Sequence, residues 1–345
     1  MTLRGSNKGL AARTGGACFH VAGMSSRSSE GQRDFPSSIA SSTADGRALV
    51  HTDRFEVPSE MNAIPHSRTT RMKFYDDLAT VLCEHISDRI SSSSSSSSSS
   101  SVDGLRISAS TRIPELHLKQ DVYRVGTLFE LVRHLTEKLV ADGRLRVRLL
   151  VQGPLGEDRG GAMPLALAAS YRILTDMDWR DMEVVHHGDG PAGPEHLVRF
   201  GLIEGSHVAD DDDVLVCIAP QSVPGGDITP KLEEVCAAAG AHRHVVLINP
   251  LLKDIPSANN VMSVRGRAER MAFARSFQPV YAFRLLYKKP YWHPIKGALR
   301  FDGTKWDLYK RVGTARKDEK YVVISTYTTE PSPKMITEAF MNYTG

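Results

Sequence analysis

Val214-Leu-Val-Cys-Ile-Ala219, Pro230-Lys-Leu-Glu-Glu-Val-Cys-Ala-Ala-Ala-Gly240 and Val245-Val-Leu-Ile248 follow one another within a single stretch, Asp213 to Pro250. The outer two runs are short and almost wholly apolar, and they stop at Pro220-Gln221 and Asn249-Pro250. Between them Leu232, Val235, Cys236 and Ala239 recur at helical spacing. A proline opens that segment and a glycine follows it, which are the expected boundaries of a helix. Continuous apolarity marks strands covered on both faces, as in a parallel sheet; a half-exposed strand would alternate. The stretch therefore reads as a βαβ unit. The fold class it implies is α/β, a Rossmann-like and mainly parallel sheet flanked by helices.

Working upstream, the acids Asp210 to Asp213 read as a solvated turn ahead of the central strand. Either Glu183 to His187 or, better, Leu197 to Ile203 fills one strand position. A helix begins at Pro164, after the glycine-rich Gln152-Gly-Pro-Leu-Gly-Glu-Asp-Arg-Gly-Gly161. Arg146-Val-Arg-Leu-Leu-Val151 is the first core strand, preceded by an amphipathic helix from Asp121 to Asp142. Eleven serines, Ser91 to Ser101, bury nothing and read as a linker. Ahead of them Phe74, Leu78, Val81, Leu82 and Ile86 mark a helix over 70–90, set apart from a domain expected over 105–345. Residues 1–69 include a basic, acid-poor leader of transit-peptide composition.

Downstream of Pro250 the pattern changes. Met262 to Phe277 reads as an arginine-rich helix. Val280 to Tyr287, Gly297 to Arg300, Trp306 to Lys310 and Tyr321 to Tyr327 read as a carboxyl-terminal antiparallel extension, with turns at Asp302-Gly303 and Gly313. Ser332-Pro333 caps a last helix. The net charge of +3 hides an asymmetry, because Leu251 to Gly345 holds 17 Lys and Arg against 8 Asp and Glu, a balance of +9. That end suits an anionic partner or a solvated surface. The four cysteines show no paired spacing, so they read as buried thiols. No apolar run is long enough to span a bilayer.

One ordered set of segments carries a resemblance. It comprises Gln152-Gly-Pro-Leu-Gly, Met163-Pro-Leu-Ala-Leu-Ala168, Ala219-Pro-Gln221, Leu247-Ile-Asn-Pro-Leu-Leu-Lys-Asp-Ile-Pro256, Arg267-Ala-Glu-Arg270, Phe283-Arg-Leu-Leu-Tyr287, Gly297-Ala-Leu-Arg300 and Leu308-Tyr-Lys-Arg311. Over Leu105 to Phe340 the chain resembles an uncharacterised plant, algal and cyanobacterial domain family. The resemblance implies a chloroplast stromal factor, peripheral to the thylakoid, whose partners are photosystem II subunits or assembly factors. The helix over 70–90, the serine tract and His186-His-Gly-Asp-Gly-Pro-Ala-Gly193 depart from the family pattern.

Two sets of candidate residues follow. In an open parallel sheet ligands bind beyond the carboxyl ends of the strands. That rule selects Gln152, Gly153, Gly160, Gly161, Gln221 and Asn249, with Arg267, Arg270 and Arg300 as candidate anion grips. The alternative for the arginines is pairing with Asp254, Glu269 or Asp302. The loop lacks the Gly-Lys-Ser/Thr ending of a phosphate-binding loop and does not spell GxGxxG. Tyr287-Lys-Lys-Pro-Tyr-Trp-His293 interleaves cations with aromatics. Lys288, Lys289, Tyr291 and Trp292 fit a partner protein or a headgroup layer, with nucleic acid ranked last. His186-His187 and His242-x-His244 lack the further ligands of a metal site. The sequence thus names no catalytic residue, metal or cofactor. Its two functional readings are a non-enzymatic accessory factor and an enzyme that binds a nucleotide or phosphometabolite at the strand ends.

Overall fold

A computed structural model describes residues 55–94, 104–117, 120–143, 145–153, 170–177, 179, 184–185, 197–222, 226–252, 266–287, 293–313 and 318–344. In chain order the elements are α1 (Arg68–Ser94), β1 (Arg106–Arg112), α2 (Val125–Gly143), β2 (Val147–Val151), α3 (Ser170–Thr175), β3 (Val184–Val185) and β4 (Val198–Leu202). They continue with β5 (Val214–Ile218), α4 (Thr229–Ala239), β6 (His244–Ile248), α5 (Arg267–Arg275), β7 (Gln278–Tyr287), β8 (Ile295–Phe301), β9 (Trp306–Val312), β10 (Lys320–Tyr327) and α6 (Pro333–Asn342). The strands form one sheet in the order β10-β9-β8-β7-β1-β6-β5-β2-β4-β3. From β7 through β3 every neighbouring pair is parallel, and β7 through β10 is antiparallel.

The central βαβ unit is β5, α4 and β6. Every residue of β2, β5 and β6 is buried. Alternate strand residues feed two apolar layers. Val147, Leu149, Val214, Val216, Val246, Ile248, Ile107 and Ala109 face α1, α2 and Leu174 of α3. Leu150, Leu215, Cys217, Val245 and Leu247 face Leu232, Val235, Cys236 and Ala239 of α4. That is why these strands read as unbroken apolar runs. Helix α4 ends where Gly240 takes φ +64°, a conformation that a β-carbon penalises.

Four expectations need correction. The helix ahead of the serine tract is part of the domain. Phe74, Leu78, Leu82 and Ile86 of α1 are fully buried in the same layer as β1, and the Phe74 and Phe283 rings stand 4.6 Å apart. Burying four such side chains contributes on the order of 6–12 kcal/mol, comparable with the whole stability of a domain. The ordered domain therefore begins before the serines, and α1 itself runs as far as Ser94. Second, both candidates between 183 and 203 are strands, β3 and β4, paired parallel. Third, β7 is antiparallel only to β8; on its other side it pairs parallel with β1 and so joins the two kinds of sheet. Fourth, Asp210 and Asp211 form the expected turn and Asp210 is exposed, but Asp212 is buried and Asp211 to Asp213 pair with arginines of the strands.

The antiparallel extension follows its turn chemistry. Asp302 Oδ1 accepts from the N–H groups of Thr304 (3.1 Å) and Lys305 (3.0 Å), closing the turn at Gly303. Ser332 caps α6 by accepting from Met335 N–H. A β-carbon on Gly297 would run into the Tyr309 carbonyl and come within 2.7 Å of the Phe340 ring, so glycine is what lets α6 sit on β8.

Candidate functional site

The amino ends of β2, β4 and β5 carry a charge cluster. Arg148 and Arg199 are the second residues of their strands, and both are buried. Buried guanidinium groups must be paired. Arg148 Nε donates to Asp212 Oδ2 at 2.5 Å, and Arg199 makes a two-point contact with Asp211 and reaches Asp212 Oδ1 at 3.4 Å. Arg146 donates to both oxygens of Asp213 at 3.1 and 3.0 Å. Asp212 Oδ2 also accepts from Ala209 N–H. Hydrogen bonds from Arg199 hold the Asp211 carboxyl down at about 2. His244 opens β6 beside this cluster, and its Nδ1 accepts from Leu105 N–H at 3.2 Å. Burial lowers its pKa.

The carboxyl ends of the same strands are built from neutral groups. Gln152 follows β2 and Gln221 lies just beyond β5. Gln152 Nε2 donates to the Gln221 carbonyl at 2.9 Å, and Gln152 Oε1 accepts from Gln221 N–H at 2.8 Å. The connection after β2 runs through α3 on one face, whereas the connection after β5 runs through α4 on the other. The adjacent ends of β2 and β5 are thus a topological switch point, where open α/β sheets bind ligands. The next position is Asn249, just past β6. Its Oδ1 accepts from Thr111 N–H of β1 at 2.7 Å, and its own N–H donates to Ala109 O at 2.9 Å. Gln221 is bridged in parallel to Leu251. Four neighbouring strand ends therefore present Thr111, Asn249, Gln221 and Gln152 in a row.

Two features of this row are unusual. Ala219 and Asn249 have φ of +44° and +49°, in the left-handed region that costs most L-residues about 1 kcal/mol or more. In addition, the buried atoms Thr111 Oγ1, Gln221 Nε2 and Asn249 Nδ2 have no hydrogen-bond partner among the described residues. Such atoms each cost about 1–3 kcal/mol. Beside the row, Ser222 Oγ donates to Asp227 Oδ1 at 2.9 Å, which also accepts from Thr229 N–H at the start of α4. Arg270 of α5 faces Asp227 Oδ2 at 3.5 Å.

The structure thus brings Gln152, Gln221 and Asn249 to one edge, with Gly153 next to Gln152 and Arg270 joined through Asp227. Gly160 and Gly161 lie outside the described residues. Arg267 is exposed on the first turn of α5. Arg300 does not belong to the site. It is buried in β8, with Nε and Nη2 donating to the Asp77 carboxylate of α1 at 2.8 and 2.7 Å. It also pairs with Asp302 at 3.2 Å, while Tyr281 donates to Asp77 at 2.8 Å. Arg300 is a clamp that fastens α1 to the sheet. Lys288, Lys289, Tyr291 and Trp292, like His186 and His187, lie outside the described residues. No three His, Cys, Asp or Glu are grouped to hold a metal among the described residues, and no helix among them is long and apolar enough to cross a membrane. Cys83, Cys217 and Cys236 are buried. Thr111 and Asp227 escaped the sequence reading. Thr111 shares the buried face of β1 with Ile107 and Ala109 and lies next to the end of that strand, so it reads as a core position and not as a ligand group.

The family model for DUF1995, a domain of unknown function, matches residues 78–338. The chain belongs to this family. The matched region starts inside α1, in keeping with a DUF1995 domain that begins ahead of the serine tract. No solved structure matches the chain.

Proposed function

We propose that the protein is a non-enzymatic plastid accessory factor that assists photosystem II assembly by binding other proteins. The observation that carries this reading is the ordered set of segments from Gln152 to Arg311, which closely resembles the chloroplast Low PSII Accumulation protein three. Membership of DUF1995 is compatible with it. In this reading the protein works in the chloroplast stroma, peripheral to the thylakoid, and its partners are photosystem II subunits or assembly factors. Lys288, Lys289, Tyr291 and Trp292 form the contact patch, because cations interleaved with aromatics bind an acidic or headgroup surface through stem burial and charge together.

The test is affinity purification of the tagged full chain from chloroplasts. Photosystem II subunits or their assembly factors co-purify, and replacing Lys288, Lys289 and Trp292 with alanine reduces their yield. Equal recovery with the triple variant would remove the patch from the account, and recovery of no photosystem component would remove the assembly role.

The second reading, an enzyme acting on a nucleotide or phosphometabolite, is favoured by one observation, the unpartnered donors at the carboxyl edge. Gln152, Gln221 and Asn249 bind through amides, which neither transfer protons near neutral pH nor attack a substrate. The edge therefore supports the binding half of that reading.

A further inference from the structure

We infer that the carboxyl edge of the parallel sheet binds the oxyanion of a small metabolite, a phosphate or carboxylate group, through Gln221 Nε2, Asn249 Nδ2 and Thr111 Oγ1. This inference is independent of the assembly role, and either can fail without the other.

The ligand's chemistry follows from which atoms are already used. Asn249 Oδ1 accepts from Thr111 N–H, and this fixes the amide so that Nδ2 is the free end. Gln152 spends its carbonyl and its amide on the Gln221 backbone. Asp227 accepts from Ser222 and Thr229 and faces Arg270, so its charge is met. What is left over is two donors and a hydroxyl able to donate. An ionised carboxylate or phosphate is acceptor-only and is the complement of such a set. A sugar hydroxyl or a peptide amide would bring donors of its own, for which the row offers only Gln221 Oε1 and the Thr111 hydroxyl, and it would leave more of the three donors unmet.

Burial sharpens the point. Thr111 is 1 % exposed and Gln221 6 %. Polar atoms so placed are normally satisfied, so three orphans on neighbouring strand ends call for a missing partner. They lie beside the switch point between β2 and β5, where this class of sheet receives ligands. The left-handed backbone at Ala219 and Asn249 turns the chain at the same two strand ends. Strain of that kind persists where the surrounding structure enforces it, commonly at ligand sites.

The test uses the full chain and four probes at about 10 mM: inorganic phosphate, fructose 6-phosphate, ATP and malate. Each is compared with sodium chloride at equal ionic strength. At least one probe is expected to raise the melting midpoint by roughly 5 °C over the salt control. The phosphate, sugar phosphate and nucleotide arms together distinguish a phosphoryl group from the carboxylates of malate. Two variants locate the site. Asn249→Asp keeps the oxygen that Thr111 N–H needs but replaces the donor with a negative charge. Thr111→Val removes the hydroxyl without changing shape. Each weakens the effective probe at least tenfold by calorimetry, since a hydrogen bond to a charged group is worth roughly a factor of 10 to 100. Unliganded Thr111→Val melts no lower than the wild type, because it loses an unpaired buried polar atom. If Asn249→Asp proves unstable, Thr111→Val decides. The proposal is overturned if no probe raises the midpoint above salt, or if the rise survives in Thr111→Val.

Discussion

The two ends of the parallel sheet handle buried polar side chains in opposite ways. At the amino end Arg146, Arg148 and Arg199 meet Asp211, Asp212 and Asp213, and only Arg199 Nε among their buried side-chain atoms lacks a partner among the described residues. At the carboxyl end Thr111, Asn249, Gln221 and Gln152 carry no charge, and three of the four leave a buried atom unpaired among the described residues. Charges that close on one another hold strands in register and leave nothing for a ligand. Neutral groups left open do the reverse. The distinction separates scaffold from site within a single sheet, using only which atoms are satisfied.

The comparison can be broken by mutation. Asp212→Ala should have the largest effect, a loss of about 3–5 kcal/mol, because it strands the buried Arg148 guanidinium without its carboxylate, while Arg199 keeps its two-point contact with Asp211. Urea denaturation followed by circular dichroism measures it, and a loss below about 1 kcal/mol would show that the amino-end pairs contribute little. Gln152→Met comes next, at about 1–3 kcal/mol, since it leaves the buried N–H and carbonyl of Gln221 unpaired. At the other extreme, Gln221→Met should leave stability unchanged or slightly raised, because the atom it removes has no partner in the described structure. A loss as large as that of Gln152→Met would mean that the Gln221 amide is already satisfied.

Acidification sharpens the same contrast, because the titrating groups sit at the amino end. His244 has a lowered folded pKa, so the unfolded chain binds its proton more readily. Its contribution to stability is present above an unfolded pKa of about 6.5 and is lost as pH falls through the lower folded value. Protonating Nδ1 removes the acceptor of Leu105 N–H. Asp211, held at about 2 against an ordinary 3.8, adds a second loss as pH drops from about 4 to 2. Urea midpoints measured at pH 7 and 5 should therefore fall, and fall less in His244→Asn. An equal fall in that variant would assign the acid sensitivity elsewhere.

The sequence made the scaffold legible and left the pairing hidden, for physical reasons. The strands and helix of Asp213 to Pro250 were readable because burial on both faces writes itself as unbroken apolar runs. Ser332 and Asp302 were readable because caps and turns are local. The strand-end positions Gln152, Gln221 and Asn249 followed from topology once the strands were placed. The pairing of Arg300 with Asp302 was readable and is present, but its other partner, Asp77, lies 223 residues away on a helix that seemed detached. The role of Asp211 to Asp213 was missed, although a signal existed. Arg148 and Arg199 stand inside otherwise apolar strands, and such charges require partners. Thr111 carried a signal that was not read, since a period of two puts it on the same buried face of its strand as Ile107 and Ala109.

In the proposal made above, the carboxyl end of the sheet is open to a ligand and the amino end is not. Isotope-labelled full-length protein, titrated with the oxyanion that stabilises it most, tests this directly through the side-chain amide signals in nuclear magnetic resonance spectra. The account predicts that the Gln221 and Asn249 side-chain NH₂ resonances shift with ligand, while the guanidinium N–H resonances of Arg148 and Arg199 stay in place. Shifts at the arginines with none at the two amides would contradict it.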